Sequence, residues 1–329
     1  MPVTITLIGL HQIGASLGLA LGRHPDQVKR IGIDREPDIS AKAKKAGACD
    51  QVAFNLTSAV EDADVVVLAL PADEIRSTLE AIASNLRSGA VVLDTSTSNL
   101  AILKMAEDLF PADRHFLNLI PSLNPTYLNE QDPDLDTPHA DLFENSVMAI
   151  TSSSNANSEA LKLASDFAML VGAKPFFADA FEADGLLAAV QLLPQLSAVA
   201  LLHATQNQPG WKEARKLTSR AYSSGTLAAA SLPGKLLEEP YLQNRENSIR
   251  LLNDLLSSLQ LLRDLLADQD AIGLRNVLAE AGSDRFEWLN QRQRGDWDHT
   301  PNTAIPSKGE MLGRLIGLRP KSDRKKDKK

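Results

Sequence analysis

Short, continuous apolar runs alternate with segments of helical periodicity through about the first 178 residues of the chain. Because apolar runs without polar alternation are typical of strands buried on both faces, they predict a parallel sheet with helices on either side. The predicted strands are 3–8, 30–33, 51–53, 64–70, 90–93, 115–119, 146–150 and 174–176. The predicted helices between them are 13–21, 39–46, 74–86, 100–109 and 157–171.

The pattern changes after about residue 178, where strand signals become few and leucine-rich helical periods dominate. Helices are predicted at 186–204, 214–232, 240–266 and 271–290. The leucine face of 240–266 needs more cover than one helix supplies. We therefore expect it to lie either in an interface between two subunits of a homodimer or in the core of a bundle within the chain.

A turn containing two glycines joins the first predicted strand to the first predicted helix. Gly9 and Gly14 take the outer positions of a Gly-x-Gly-x-x-Gly pattern, His11 replaces its middle glycine, and Asp34 ends the next strand. Free amides and the positive end of the helix dipole bind phosphate at such a turn, and an acidic residue about 20 positions later accepts a hydrogen bond from a ribose. The turn therefore predicts dinucleotide binding. The alternative is a domain of the same type that no longer binds any ligand.

Three roles are open for His11: it donates to a phosphate, acts as an acid or base, or only fills the turn and narrows the approach of the pyrophosphate. The choice of cofactor also has two readings. Asp34 favours NAD by accepting from the 2'-hydroxyl, whereas Arg35 could pair with the 2'-phosphate of NADP if Asp34 turns away, stack on the adenine or lie in solvent. NAD is the predicted cofactor, with NADP as the second choice. The predicted cofactor contacts are Gly9, His11, Gln12, Ile13, Gly14, Asp34, Arg35, Leu70 and Pro71.

These patterns together predict the α/β class, with a Rossmann-type doubly wound parallel sheet followed by an all-helical C-terminal domain. The expected limits are 1–178 for the dinucleotide-binding domain, 179–295 for a helical substrate and dimerisation domain, and 296–329 for a basic, disordered tail.

Composition narrows the class of protein further. A length of 329 residues and 43% hydrophobic content suffice for about two packed domains, and a net charge of −8 argues against nucleic acid as a partner. Cys49 is the only cysteine, which excludes an internal disulfide and a cysteine zinc cluster and suits a reducing compartment. No leader peptide, membrane span or metal-ligand spacing is evident. We expect a cytoplasmic protein without membrane contact or metal.

In their order, several segments resemble the prephenate and arogenate dehydrogenase family. They are GLHQIGASLGLAL, GIDREP, LALPADEI, DTSTSNL, HADLFENS, ADGLLAAVQLLPQLSA and LQNRENSIRLLNDLL, and the resemblance spans about residues 3–290. It implies hydride transfer from a small carboxylate substrate to a nicotinamide cofactor, with decarboxylation, in the synthesis of tyrosine.

The chain departs from the family pattern at the positions of the family's catalytic and substrate-binding side chains. Ile120 stands at the position of the family histidine that takes the substrate proton, and isoleucine cannot act as a base. Thr97 stands at a family serine position and keeps a hydroxyl that could position substrate or nicotinamide. The family's other histidines are replaced at Ala183, Leu192 and Gln195.

Polar side chains in the loop after Ile120 and on the C-terminal helices are the candidate substrate contacts. Arg220 aligns with a family arginine that binds a substrate carboxylate. The other candidates are Ser122, Asn124, Gln191 and Gln195, of which Asn124 could equally serve only to make a turn before a proline.

Three functions remain open on the sequence. The first is an active prephenate or arogenate type of dehydrogenase in which a hydroxyl or water network replaces the histidine. The second is a sister dehydrogenase or reductase that acts on another hydroxy acid, keto acid or imine. The third is a nucleotide-binding regulator without catalysis.

Overall fold

An eight-stranded sheet forms the first part of the chain, in the order β3-β2-β1-β4-β5-β6-β7-β8. The computed structural model describes residues 2–128, 137–153, 156–230 and 238–295. The strands are β1 (Val3–Ile8), β2 (Val28–Ile33), β3 (Gln51–Val52), β4 (Val65–Leu68), β5 (Val91–Asp94), β6 (His115–Pro121), β7 (Val147–Ser152) and β8 (Lys174–Phe177). Every predicted strand is present, with small shifts at its ends.

The first six helices pack against this sheet. They are α1 (Gln12–Leu21), α2 (Pro37–Lys45), α3 (Leu56–Val60), α4 (Ala72–Ile82), α5 (Asn99–Leu109) and α6 (Ser158–Leu170). Two apolar clusters, one on each face of the sheet, hold sheet and helices together. The sequence missed the short α3, which begins where the Asn55 side chain accepts a hydrogen bond from the Ser58 amide.

Two strands run against the other six. β7 pairs antiparallel with β6, and β8 pairs parallel with β7, so both run opposite to β1–β6, whose strand pairs are parallel. The expectation of an all-parallel sheet was therefore wrong at these two strands. The described part of the connection between β6 and β7 contains one 3-10 turn, Pro125–Tyr127, and no helix. A parallel pair needs a crossover helix, whereas an antiparallel pair does not, so this connection returns the chain in the opposite direction.

Beyond β8 the described chain is helical. The helices are α7 (Ala180–Leu187), α8 (Leu193–Gln206), α9 (Trp211–Ala214), α10 (Arg220–Thr226), α11 (Glu238–Gln243), α12 (Arg245–Ala267) and α13 (Ala271–Arg294). A π-helical turn, Ala188–Leu192, joins α7 to α8 just before Pro194. Proline removes an amide donor and crowds the preceding turn, which is a common cause of such a bulge.

Two predicted helices are interrupted. Thr218 and Ser219 are extended between α9 and α10, so a single helix over 214–232 was wrong in its described part. Short hydroxyl side chains compete for backbone hydrogen bonds and favour helix ends. The predicted helix 240–266 divides at Asn244, whose side-chain amide donates to the carbonyl of Asp184 over 2.6 Å. The expected tail at 296–329 lies outside the described residues.

The helical region leaves much apolar surface uncovered. Among the described residues, α12 buries only Ser248 and α13 only Arg292. The continuous helical stretch Ala180–Gln206 is also long and apolar enough, by length and composition, to cross a membrane, although 22% of its most apolar window is buried within the chain. From the sequence, no such segment was expected. The leucine face of α12 thus finds no full cover within the described chain.

Candidate functional site

The turn between β1 and α1 has room only for glycine at two positions. Gly9 has a φ of +89°, and a Cβ atom there would lie 2.3 Å from the carbonyl oxygen of Ala69. A Cβ at Gly14 would lie 1.9 Å from the carbonyl oxygen of Gly9. Both contacts are impossible for a larger residue, so these glycines let the turn fold tightly against the end of β4. The exposed His11 stands directly before α1, with extended backbone angles.

Asp34 lies beside this turn and is held in one orientation. One carboxylate oxygen accepts from the amide of Leu10 over 2.8 Å, and the other accepts from the amide of Glu36 over 2.9 Å. Each oxygen keeps a free lone pair. The carboxylate therefore links the glycine turn to the end of β2 and can still accept from a ribose hydroxyl.

A cavity of about 420 Å³ opens between the glycine turn, the end of β2 and the start of α4. We call it the adenosine cavity, since its place relative to the turn and Asp34 is where a dinucleotide puts its adenosine half. Its lining residues are Ile8, Gly9, Ile33, Asp34, Arg35, Phe54, Asn55, Leu56, Leu70, Glu74, Ser77 and Thr78.

Several of these residues were not predicted from the sequence. Phe54 is fully exposed and presents its ring at the cavity, and Glu74 forms an ion pair with Arg35 over 3.0 Å. Ligands bind at the carboxyl ends of parallel strands, so the residues that follow β3 were the available signal. That signal was weak because β3 is only two residues long.

The remaining predicted cofactor residues have different surroundings. Leu70 lines the adenosine cavity, and Pro71 precedes α4. Ile13 packs against the apolar cluster that contains α1. The side-chain amide of Gln12 donates to the carbonyl of Thr137 over 3.3 Å, so this side chain tethers the segment after residue 136 to the start of α1.

A buried polar cluster lies at the carboxyl ends of β5 and β6. Asp94 has no exposed surface, and one of its oxygens accepts from the Ser96 hydroxyl and from the Asn118 side-chain amide. Burial raises the pKa of Asp94 to about 6, and the bonds from Ser96 and Asn118 oppose this increase. Its second oxygen, the side-chain oxygen of Asn118 and the Ser98 hydroxyl have no hydrogen-bond partner among the described residues.

Asp184 joins the helical region to the sheet. Its carboxylate accepts from the Asn99 backbone amide at 2.8 Å, the Asn99 side-chain amide at 2.9 Å and the Leu100 amide at 3.2 Å. The Asn99 side chain in turn accepts from the Thr151 hydroxyl over 3.2 Å. A carboxylate at the first turn of α5 is favourably placed in the dipole of that helix. Asp184 thus anchors the end of the loop that carries Thr97, whose side chain is half-buried.

The position of the family histidine is apolar and closed. Ile120 is 6% exposed and packs with Ala183 and Leu187 of α7. The resemblance places family histidines at both Ile120 and Ala183, and in the described chain these two positions hold apolar side chains that lie in one cluster.

The predicted substrate residues are dispersed. Both groups of the Asn124 side chain are engaged in its own loop, since it donates to the Asp141 carbonyl and accepts from the Thr126 amide. This bonding favours the structural reading of Asn124. Ser122 is half-buried beside it, and its amide donates to the carbonyl of Val147.

Gln191, Gln195 and Arg220 lie on the helices. The half-buried Gln191 is in the π-helical turn, and the Gln195 side-chain oxygen accepts from the Tyr241 hydroxyl over 2.7 Å. The exposed Arg220 begins α10, which packs on the far end of α8 through a bond between Tyr222 and Thr205. Within the described chain, no contact brings Arg220 to the glycine turn. The described residues also contain no group of three or more His, Cys, Asp or Glu side chains that could hold a metal.

Comparisons with known proteins bear on the family and the fold. The model of the prephenate dehydrogenase nucleotide-binding domain matches residues 17–176. The cyclohexadienyl dehydrogenase of Zymomonas mobilis is 25% identical over 271 residues, which are 81% of this chain and 89% of that protein. The prephenate dehydrogenase of Bacillus subtilis is 23% identical over 299 residues, which are 90% of this chain and 78% of that protein.

Solved structures show the same fold. Prephenate dehydrogenase from A. aeolicus, in complex with hydroxyphenyl propionate and NAD+, has a TM-score of 0.76 at 21% identity and covers 87% of this chain and 98% of its own. Arogenate dehydrogenase from Synechocystis has a TM-score of 0.70 at 23% identity and covers 87% and 100%. The Rossmann-type sheet and the helical C-terminal region are thereby confirmed. The chain belongs to the prephenate and arogenate dehydrogenase family.

Proposed function

We propose that this protein is a nicotinamide-dependent dehydrogenase of tyrosine biosynthesis that acts on prephenate or arogenate. The observation that carries the proposal is the pairing of the tight glycine turn with an Asp34 carboxylate fixed beside it, in a chain of this family. Bound at this turn, the cofactor supplies the hydride acceptor. The chain supplies the phosphate-binding amides, the ribose acceptor and the walls of the site.

NAD is the proposed cofactor. Asp34 accepts from a ribose 2'-hydroxyl and repels a 2'-phosphate, and its two backbone bonds oppose a turn away from that position. The A. aeolicus relative is described with NAD+. NADP remains the alternative that a titration must separate.

The substrate proton needs an acceptor other than a histidine at position 120. Thr97 is the proposed positioning hydroxyl, because it follows β5 in the loop that Asp184 anchors. Ile120 excludes water from one side of this region, since it is buried against α7. Arg220, Ser122, Gln191 and Gln195 stay proposed substrate contacts, and Asn124 is the weakest of them because both its polar groups are used in its loop.

A second candidate function is nucleotide binding without catalysis. The closed apolar cluster at Ile120 favours it, because general acid and base groups in that position contribute about 10²- to 10⁴-fold to a rate. A sister enzyme for another hydroxy acid, keto acid or imine is the third. Neither of these two turns over prephenate or arogenate, so one experiment separates the proposed enzyme from both.

The experiment is calorimetric titration of the full chain with NAD and NADP, followed by turnover of prephenate and of arogenate at the absorbance of reduced nicotinamide. We expect NAD binding together with turnover of one of the two substrates. Binding without turnover would favour the regulator or the sister enzyme, and absence of binding would refute the dinucleotide site.

A variant of Arg220 tests whether this side chain binds the substrate carboxylate. Arg220→Ala should raise the KM by about 30-fold, equal to the loss of one charge-assisted hydrogen bond of about 2 kcal/mol, and leave the NAD affinity unchanged. An unchanged KM would show that this arginine does not bind the carboxylate.

The uncovered helices support a homodimer. Large exposed apolar side chains concentrate on them, namely Val190, Val199, Leu201, Leu256, Leu259, Leu261, Leu266, Ile272, Leu278, Phe286 and Trp288. We infer that a second copy covers this surface, because a monomer would expose an apolar patch of unusual size.

The free Cys49 is buried and suits a reducing compartment, which supports a cytoplasmic location.

Light scattering tests the dimer. The mass should be twice the 35.6 kDa of one chain, and Leu259→Asp on α12 should reduce it to that of a single chain. Met169→Asp is a matched control, because Met169 is exposed on α6 beside the sheet. A wild-type mass of one chain would refute the dimer.

A further inference from the structure

Arg35 and Glu74 meet at the rim of the adenosine cavity. Arg35 follows β2, Glu74 lies in the first turn of α4, and an Arg35 guanidinium nitrogen lies 3.0 Å from a Glu74 carboxylate oxygen. Both residues line the cavity. The pair therefore forms within the lining of the cavity that adenosine would enter.

This ion pair contributes little to the stability of the fold. The Arg35 side chain is 78% exposed, and exposed pairs are screened by water and salt. Its consequence is instead local: the guanidinium is directed to a carboxylate at the cavity. Among the described residues that line the cavity, Arg35 is the only cation.

The alternative role of Arg35 depends on Asp34 turning away. Asp34 accepts from two backbone amides on opposite sides, Leu10 and Glu36, and both bonds would have to break. Even then Arg35 would have to leave Glu74 to reach a 2'-phosphate. Two obstacles therefore oppose NADP, and only the one at Asp34 could be seen in the sequence.

The charges that line the cavity also oppose the binding of NADP. Its described lining contains the carboxylates of Asp34 and Glu74 and the one guanidinium. A 2'-phosphate brings a further charge of about −2. It would meet a site with excess negative charge whose cation is already paired.

We propose that Glu74 is a second determinant of the choice of NAD over NADP, because it holds Arg35 and adds a negative charge at the ribose side of the adenosine cavity. The inference rests on the proposed function only in that the cavity binds a dinucleotide. It concerns the cofactor alone, so it does not depend on the substrate.

The test is calorimetric titration of wild type and of Glu74→Gln with NAD and with NADP at one ionic strength. Glutamine keeps the size of the side chain and removes its charge. The affinity for NADP should rise about tenfold, since Arg35 becomes free for a charge-assisted bond to the phosphate, and that for NAD should change less than about twofold.

Two further variants identify the cause. In Glu74→Gln combined with Arg35→Gln the gain for NADP should disappear, because the released guanidinium is absent. Asp73→Asn removes the same charge from the same helical turn, but Asp73 is exposed and does not line the cavity, so its ratio of affinities should match that of wild type.

The outcomes separate the inference from the proposed function. An unchanged ratio in Glu74→Gln, or an equal gain in Asp73→Asn, would overturn the role of Glu74 while NAD binding by the wild type still supports the dinucleotide site. Binding of neither cofactor by the wild type would overturn both. Failure to turn over prephenate or arogenate would affect only the proposed reaction.

Discussion

Replacing Asp184 with alanine should lower the free energy of unfolding by about 3 to 5 kcal/mol, because three donors at the start of α5 lose a buried carboxylate acceptor. Each buried donor without a partner costs about 1 to 3 kcal/mol, and water that enters the gap recovers a part of this. Urea unfolding, followed by circular dichroism, measures the change.

The same helix provides a control. Asp179 precedes α7 and accepts from the amides of Phe181 and Glu182, but it is exposed and its bonds stay within its own helix. Asp179→Ala should cost about 1 kcal/mol, as is usual for the loss of such a cap. If Asp184→Ala cost no more than this, the link between the helical region and the sheet would be of minor importance.

The same substitution should also slow the reaction. Asp184 holds Asn99 directly after the loop of Thr97, so the fraction of Asp184→Ala that remains folded should have a lower kcat with little change in NAD affinity. The adenosine cavity contains neither residue, which explains why cofactor affinity is expected to persist.

The contribution of Asp94 to stability should fall as the pH rises from about 4 to about 6, and replacement of Asp94 with asparagine should remove that loss. The folded chain keeps the Asp94 proton up to a pKa of about 6, because burial opposes the charge, whereas the ordinary value is 3.8. Between these values the folded state binds more protons than the unfolded state, so stability falls with rising pH.

The size of the effect follows from the shift in pKa. The stabilising contribution of the protonated group is fully present below 3.8 and is lost above about 6, and the difference corresponds to about 3 kcal/mol at 1.36 kcal/mol for each unit. Asp94→Asn keeps the shape without the charge. It should therefore match wild type near pH 4 and exceed it by a few kcal/mol at pH 8.

Urea unfolding of both proteins at pH 4, 5, 6 and 8 gives the comparison, and the difference between them isolates Asp94 from other carboxylates. Asp73→Asn, at an exposed site, controls for the change of net charge. A difference between Asp94→Asn and wild type that is the same at every pH would show that ionisation of Asp94 is not its cause.

Much of the sheet and of the cofactor turn could be predicted because their signals are local. Strands such as β4 are continuous apolar runs, and the periodicity of α1 starts directly after Gly9. Asp34 was found by its distance from that turn. Each of these features needs only a few neighbouring residues, so the sequence pattern alone carries it.

The features that the sequence missed depend on residues far apart in the chain. Asp184 meets Asn99 across 85 positions, and Arg35 meets Glu74 across 39. Nothing in the local pattern distinguishes Asp184 from an exposed helical carboxylate. The reversal of β7 likewise follows from the lack of a crossover helix in the described connection after β6.

The sequence by itself determined the class of the fold, the glycine turn between β1 and α1 and the family, because these follow from residue type, spacing and the order of the motifs. Only the tertiary structure decided that Ile120 packs against α7, that Asp94 is fully buried and that Glu74 pairs with Arg35 at the adenosine cavity. Burial, desolvation and charge pairing are properties of packed neighbours, and the chain acquires those neighbours only when its distant segments meet.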